Sequence, residues 1–223
     1  MNGANTTVLM TGEAMITLYG CYRSRASRPL WLLAETGTPF THVPVIQAYR
    51  LPHPDAADAP VNTRSASFLA VNPIGQIPAL VDGDLVLTES LAICLHLARA
   101  HGGALGPQDL AEQAQFENWA LFAATAIEPH SLAILQAANP DAAEAAAVQL
   151  DRPLARLEAH LHGRDWLGDR FTVADLMVAE CVRYAQGHAP LMATHPAVKD
   201  WLSRCQARPA FQAMWSARLS EPA

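Results

Sequence analysis

Charge is scarce in this chain. Only 16% of its 223 residues are Asp, Glu, Lys or Arg, whereas 51% are hydrophobic. Such a balance excludes a disordered chain and implies a well-buried globular one. The little charge present leans acidic, with a net charge of −6 and a pI near 5.8. Phosphate binding needs a basic face, so nucleic acid is not an expected partner. Long apolar runs are missing too, and none could cross a bilayer, so no membrane partner is expected. Residues 1–13 lack both a basic start and an apolar stretch, so they read as an extension and not a secretory leader. Cysteine is sparse. Cys21, Cys94, Cys181 and Cys205 are dispersed, with no CxxC or metal-ligand spacing. They read as free thiols of a reducing cytoplasm, with Cys94 and Cys181 in apolar helical runs as core residues. The nine histidines show no HxxxH pairing, so no metal is expected.

What the chain does have is one dense stretch. Val71-Asn72-Pro73-Ile74-Gly75-Gln76-Ile77-Pro78-Ala79-Leu80 is followed by Thr88-Glu89-Ser90. Pro78 stands where a strand begins, a place that tolerates its missing N–H. A bend before a strand is also where an X-Pro bond is held cis. The backbone N–H and C=O of Ile77 would then face outward, free to pair with an extended peptide. Asp82-Gly83-Asp84 reads as a hairpin turn and 85–87 as the return strand. Ser90, a good N-cap type, opens an apolar helix over 91–100. Its end offers free N–H groups and a positive dipole beside Glu89. A carboxylate would dock on the helix end, and an ammonium would pair with Glu89. Glutathione carries a carboxylate, an ammonium and a peptide bond.

V-N-P-I-G-Q-I-P-A-L followed by T-E-S resembles the glutathione-binding half of the glutathione S-transferase family. The resemblance runs from about residue 16 to about residue 217. It implies a thioredoxin-like domain with a four-stranded mixed sheet, then an all-α domain. The pattern of the chain agrees. Residues 15–19 and 40–46 read as strands, with a helix between them that Pro29 opens and Gly37 ends. Ser27 or Arg28 stands near its cap. Residues 47–65 form a long surface loop with three prolines, mobile or functional. A short helical turn follows at 66–70, and the order is β-α-β-α-β-β-α. Residues 102–109 are a linker by composition. The expected limits are an extension at 1–14, the first domain at 15–101 and the helical domain at 110–223.

Within the second domain, 110–135 reads as a helix that Pro129 kinks or breaks, and 141–162 as one that Pro153 bends or splits. Thr172-Val173-Ala174-Asp175 is a capping box, flanked by Phe171 and Leu176 in staple positions. It is read as a folding device. An unpaired buried Asp175 would be costly, so its replacement is expected to hurt stability more than rate.

The chemistry is expected in the loop 21–28, between first strand and first helix. The resemblance implies that the thiol of glutathione is activated to attack a small hydrophobic electrophile. A free thiol, with a pKa of about 8.5, is mostly protonated at neutral pH. Lowering it by roughly two units takes about 2.7 kcal/mol, within reach of a hydroxyl hydrogen bond plus a helix dipole. Ser24 stands where serine-type members, similar to the theta and zeta classes, place that hydroxyl. Ser27 is expected only to cap and Tyr19 only to pack. Tyr22, Trp119 and Phe122 are expected around an electrophile pocket between the domains. The rival is Cys21. Cys21-Tyr22-Arg23-Ser24 is a C-x-x-S arrangement with Arg23, Arg25 and Arg28 nearby to favour a thiolate, though it directly follows Gly20, before the helix.

For glutathione, the resemblance implies a backbone pair at Ile77, Glu89 on the γ-glutamyl ammonium and Ser90 on its carboxylate. Gln76 stands where the family commonly has Lys, so it offers the glycine end a hydrogen bond without charge. Thr63, Arg64 or another residue of the long loop is left to meet the glycine carboxylate. The expectation is a cytoplasmic glutathione transferase, and the resemblance implies a homodimer. A Cys21 thiol reductase and an isomerase of maleylacetoacetate type are the alternatives, and a non-catalytic binding module is the alternative of another class.

Overall fold

The computed structural model describes residues 16–221. Met15 and the expected extension 1–14 lie outside the described residues. Strand β1 (Thr17–Tyr19) leads through a tight loop into helix α1 (Ser27–Thr36), which Gly37 ends in a left-handed conformation at φ 66°. Strand β2 (Thr41–Val43) pairs parallel with β1. It is shorter than the expected 40–46 because Pro44 cannot donate to the ladder; Ile46 instead bridges to Asn62. The long loop 47–65 is tied down rather than loose. Buried Asn62 donates from Nδ2 to Pro54 and Pro60 C=O, and Ile46 exchanges backbone bonds with Val61 and Thr63.

After α2 (Ala66–Leu69) come β3 (Ala79–Asp82) and β4 (Leu85–Leu87), joined at Gly83 with φ 59°. The sheet order is β2-β1-β3-β4, with β3 antiparallel to both neighbours. Helix α3 (Ser90–His101) covers one face. The expected β-α-β-α-β-β-α order and mixed four-stranded sheet are both present.

Helices then follow one another. The single helix expected over 110–135 is α4 (Leu110–Phe122), a π-helical turn at Ala123–Ile127, and α5 (Glu128–Leu135). Pro129 sits in the first turn of α5, where its missing N–H costs nothing. Pro153 does not split the next helix: α6 (Pro140–Leu161) is continuous. Leu150, Leu154, Leu157 and Leu161, spaced three and four apart and all buried, carry it past the lost bond. Then come α7 (Val173–Val182), α8 (Ala189–Ala193), α9 (Pro196–Gln206) and α10 (Pro209–Ser220).

The capping box at α7 is formed, and Asp175 does more than close it. Fully buried, its carboxylate accepts from Thr172 N at 3.0 Å, Leu167 N at 2.9 Å and Trp201 Nε1 at 2.9 Å. The core runs unbroken from the sheet through α1 and α3 into α4, α6, α7 and α9. Trp31 of α1 is fully buried, worth on the order of 3 kcal/mol, and meets Phe211 of α10 edge-on at 5.0 Å. Beside it, Arg208 makes a two-pronged bond to Glu35, at 2.7 and 2.8 Å. The last helix is thereby bolted to the first.

Ser27 is not a cap. Ala26 occupies the N-cap of α1 with no side-chain bond, and the buried Ser27 hydroxyl donates to Glu180 of α7. Ser90 is likewise one step inside its helix: Glu89 is the N-cap and Ser90 the first helical residue.

Candidate active site

The Ile77–Pro78 bond is cis, as the position of Pro78 implied. Asn72 holds the preceding turn. Buried, it donates from Nδ2 to Gln76 C=O at 2.7 Å and accepts at Oδ1 from Ile74 N at 3.1 Å. Gly75 is required there. Its φ is 68°, and a Cβ on it would lie 2.8 Å from the Thr63 carbonyl oxygen. Among the described residues no backbone hydrogen bond engages Ile77, whose N–H and C=O are left for an extended partner.

Next to this turn stands the N-terminus of α3. Glu89 is exposed and extended, with no side-chain cap, so first-turn N–H groups remain open. Ser90 is buried, and its Oγ accepts from Arg28 Nη1 at 2.9 Å. Arg28, 1% exposed, also donates from Nη2 to Glu128 Oε1 at 2.7 Å. Arg25 donates to the same carboxylate from Nε, and the Cys181 thiol donates to its other oxygen. Burial opposes the charge of Glu128, but the Arg28 and Arg25 guanidiniums together outweigh it and hold the carboxyl below its usual range. Burial likewise pushes the Cys181 thiol up to about 12. A buried positive charge thus stands behind the helix end, balanced by a carboxylate from the helical domain.

The β1–α1 loop closes the third side. Gly20 opens it beside the cis bond, where a Cβ would lie 3.7 Å from Ile77 Cβ. Half-buried Ser24 donates from Oγ to Cys21 C=O at 2.7 Å and accepts from Ala26 N at 3.0 Å.

Ser24, Gln76, Ile77, Glu89 and Ser90 line one cavity of about 1140 Å³ between the two domains. Thr63, left open in the sequence reading, also lines it; Arg64 does not, and pairs instead with Asp55 at the surface. Leu95, Ala120, Leu121, Ala124, Leu132 and Leu135 form an apolar wall opposite. The aromatics that line the cavity are Tyr49 and Tyr184, not the three expected. Trp119 is buried against Phe122 and His160 in the helical core, and Tyr22 packs on His42 at the far side of the loop. Neither they nor Phe122 line the cavity.

Cys21 does not reach the cavity either. It is 3% exposed and donates to Gln47 Oε1 at 3.4 Å. Burial first, and the Glu221 carboxylate second, push its thiol up. The three arginines that follow it in sequence serve elsewhere, Arg25 and Arg28 on Glu128 and Arg23 on the Glu221 carbonyl; Arg50 of the long loop reaches its sulfur from Nη1 at 3.8 Å and offsets the burial only in part. Sequence reading placed Arg28 near a cap or beside a Cys21 thiolate, not under Ser90, and gave no role to Glu128, Asn72 or Gln47. Only Asn72 carried a local signal, its place before Pro73.

Comparison with known proteins covers both domains. Residues 14–99 match the family model described as glutathione S-transferase, N-terminal domain, and residues 122–209 match glutathione S-transferase, C-terminal domain. Glutathione S-transferase 3 of Zea mays is 36% identical over 220 residues, 89% of this chain and 92% of the relative. Glutathione S-transferase theta-1 of Mus musculus is 30% identical over 159 residues, 64% of this chain and 66% of that protein. A glutathione transferase of Burkholderia graminis, solved with two glutathione molecules per subunit, superposes with a TM-score of 0.77 at 26% identity, over 93% of this chain and 90% of that one. The likenesses extend to plant, mouse and bacterial proteins alike. Both halves of the molecule find their counterparts in one family, in the same order along the chain, and the chain belongs to it: the glutathione S-transferases.

Proposed function

We propose that this glutathione transferase binds glutathione against Ile77, Glu89 and Ser90 and stabilises its thiolate with the Ser24 hydroxyl. The observation that carries the reading is that Ser24 lines the same cavity as those three residues, whereas Cys21 is buried behind its loop. Ile77 offers its backbone to the cysteinyl unit. Glu89 meets the γ-glutamyl ammonium, and Ser90 with the α3 amides meets its carboxylate. Gln76 lies beside the glycine end, and Thr63 lines that part of the cavity.

A hydroxyl has one proton, and that of Ser24 points at Cys21 C=O. Turning it toward sulfur gives up a bond worth about 1 kcal/mol. The Ala26 N–H holds the oxygen during that turn and polarises it as a donor. The sulfur lone pair then forms a C–S bond to the electrophilic carbon, and the leaving group departs with its electron pair. Opposite, the leucines and alanines favour an apolar electrophile. The volume lies at the upper end of ligand pockets, which run to about 1,000 Å³, so a second ligand fits beside the tripeptide. The Burkholderia graminis relative holds two glutathione molecules per subunit, and a second tripeptide is the competing occupant.

The place of Ser24 supports the finer assignment to serine-type members similar to the theta and zeta classes. A homodimer is supported by β4, an edge strand that leaves Leu85 and Val86 41% and 47% exposed. Four free thiols support the cytoplasm. The test is titration of bound glutathione, followed by thiolate absorbance. Ser24→Ala removes the hydroxyl and leaves the helix dipole, so it is expected to raise the thiol pKa by about one to two units and lower kcat about ten- to a hundredfold. Activity that survives in Ser24→Ala but disappears in Cys21→Ala hands the chemistry to the cysteine. A protein that binds no glutathione is a non-catalytic module. Aryl halides, epoxides, mixed disulfides and cis-enediones, assayed side by side, separate transferase, reductase and isomerase.

A further inference from the structure

The loop that presents Ser24 is fixed from the opposite end of the chain. Both N–H groups before Ser24, those of Tyr22 and Arg23, donate to the Glu221 carboxylate, at 2.7 and 2.8 Å. Tyr22 C=O accepts from Arg218 Nη1, and Arg23 Nη1 donates back to Glu221 C=O at 3.3 Å. Arg23 C=O takes Gln47 Nε2 at 3.3 Å, and Cys21 C=O takes Ser24 itself. Every one of these carbonyls and amides is satisfied, and four of the contacts involve Arg218 and Glu221, at the end of α10. That helix is also bolted to α1 at its start, through Arg208 on Glu35. It therefore braces the loop from a fixed base.

One carboxylate on two consecutive N–H groups is a charge-assisted grip, about twice as strong as a neutral one. It fixes the planes of the two peptide units that lead into Ser24. Glu221 does not line the cavity, so it makes no contact with glutathione from there.

We propose that Glu221, assisted by Arg218, is a positioning residue for thiolate stabilisation, holding the loop so that the Ser24 hydroxyl faces the cavity. The inference rests on the reading of Ser24 given above. A hydroxyl that must donate to a sulfur at one spot loses effect when its loop can drift. The same carboxylate, after burial, raises the Cys21 thiol, so one group aims the serine and keeps the cysteine protonated.

The test uses the full chain with Glu221→Ala and Glu221→Gln, each in the parent and in Ser24→Ala. The measurements are kcat, KM for glutathione, melting temperature and the pKa of the bound thiol. Glu221→Ala is expected to lower kcat about tenfold and raise the bound-thiol pKa by about one unit. KM for glutathione stays within about twofold, since Ile77, Glu89 and Ser90 belong to other elements. Glu221→Gln keeps one acceptor oxygen and falls between, and it keeps the test open if the alanine variant folds poorly. In Ser24→Ala, Glu221→Ala costs nothing further. Parent values of kcat and thiol pKa in Glu221→Ala overturn the positioning role alone, as does an equal loss in both backgrounds. An unchanged thiol pKa in Ser24→Ala overturns the serine reading and this one with it.

Discussion

Replacing Arg28 with methionine tests the buried charge behind the helix end. Arg28 is 1% exposed and gives Glu128 its closest buried partner, at 2.7 Å. Breaking a buried pair from one side costs about 3–5 kcal/mol, chiefly because the other charge stays behind. Arg25 remains on Glu128, but its side chain is 48% exposed and screened. The lower end, about 3 kcal/mol, is therefore expected. For a chain of this size that corresponds to a fall in Tm of about 6–12 °C.

The pH dependence separates this cause from mere loss of packing. In the parent, the Glu128 carboxyl is held below its usual range despite burial, because Arg28, with Arg25 behind it, outweighs that burial. Its contribution is present above the unfolded-state value and lost as pH falls through the folded one. Without Arg28 burial prevails and the carboxyl moves up. The cost then lies above that raised value and shrinks as pH falls. Urea unfolding at about pH 8 and about pH 5 is expected to show the gap between parent and variant narrowing on acidification. KM for glutathione rises roughly fivefold at neutral pH, as Ser90 loses a donor worth about 1 kcal/mol. A Tm within about 2 °C of the parent, or a gap constant across pH, would refute the reasoning.

Two further changes divide binding from folding. Glu89→Gln removes an exposed carboxylate that has no structural partner among the described residues. It is expected to raise KM for glutathione about tenfold, with Tm and saturated kcat near the parent, by steady-state kinetics with glutathione varied. Asp175→Ala leaves Leu167 N, Thr172 N and Trp201 Nε1 buried without their acceptor, a loss of about 3–5 kcal/mol in urea unfolding. The kcat of the folded fraction is expected to stay within about twofold, and a larger fall would place Asp175 in the chemistry.

What the sequence made legible was local. A proline between Ile77 and an apolar run has few places to go, and the cis turn, the strand after it and the helix opening beside Glu89 followed from neighbours a few residues apart. Thr172 and Asp175, three apart, declared their own cap. Aromatic residues at helical spacing carried no such information. Trp119 faces the core, and the cavity wall is made from Leu and Ala elsewhere on the same run of helices, at 120, 121, 124, 132 and 135. Periodicity marks a buried face without saying whether it is buried by protein or left for a ligand.

Charge was read wrongly for the same physical reason. Around Cys21 the sequence places Arg23, Arg25 and Arg28, and proximity along the chain suggests an activated thiol. A guanidinium acts over a few ångströms in space, and these three are drawn away by acceptors 100 or more positions distant, Arg25 and Arg28 by the Glu128 carboxylate and Arg23 by the Glu221 carbonyl. Arg28 shows what that distance accomplishes. Alone, its burial would be prohibitive. Glu128, supplied by the second domain, makes it tolerable and leaves Nη1 to hold Ser90 at the tip of α3. The first domain supplies the surface that recognises a tripeptide. The second supplies the counter-charge that lets a cation lie beneath that surface, and through Glu221 it also grips the loop that bears the hydroxyl. The thioredoxin-like half cut away from its helices would therefore keep the motif and lose the electrostatics that make it a site.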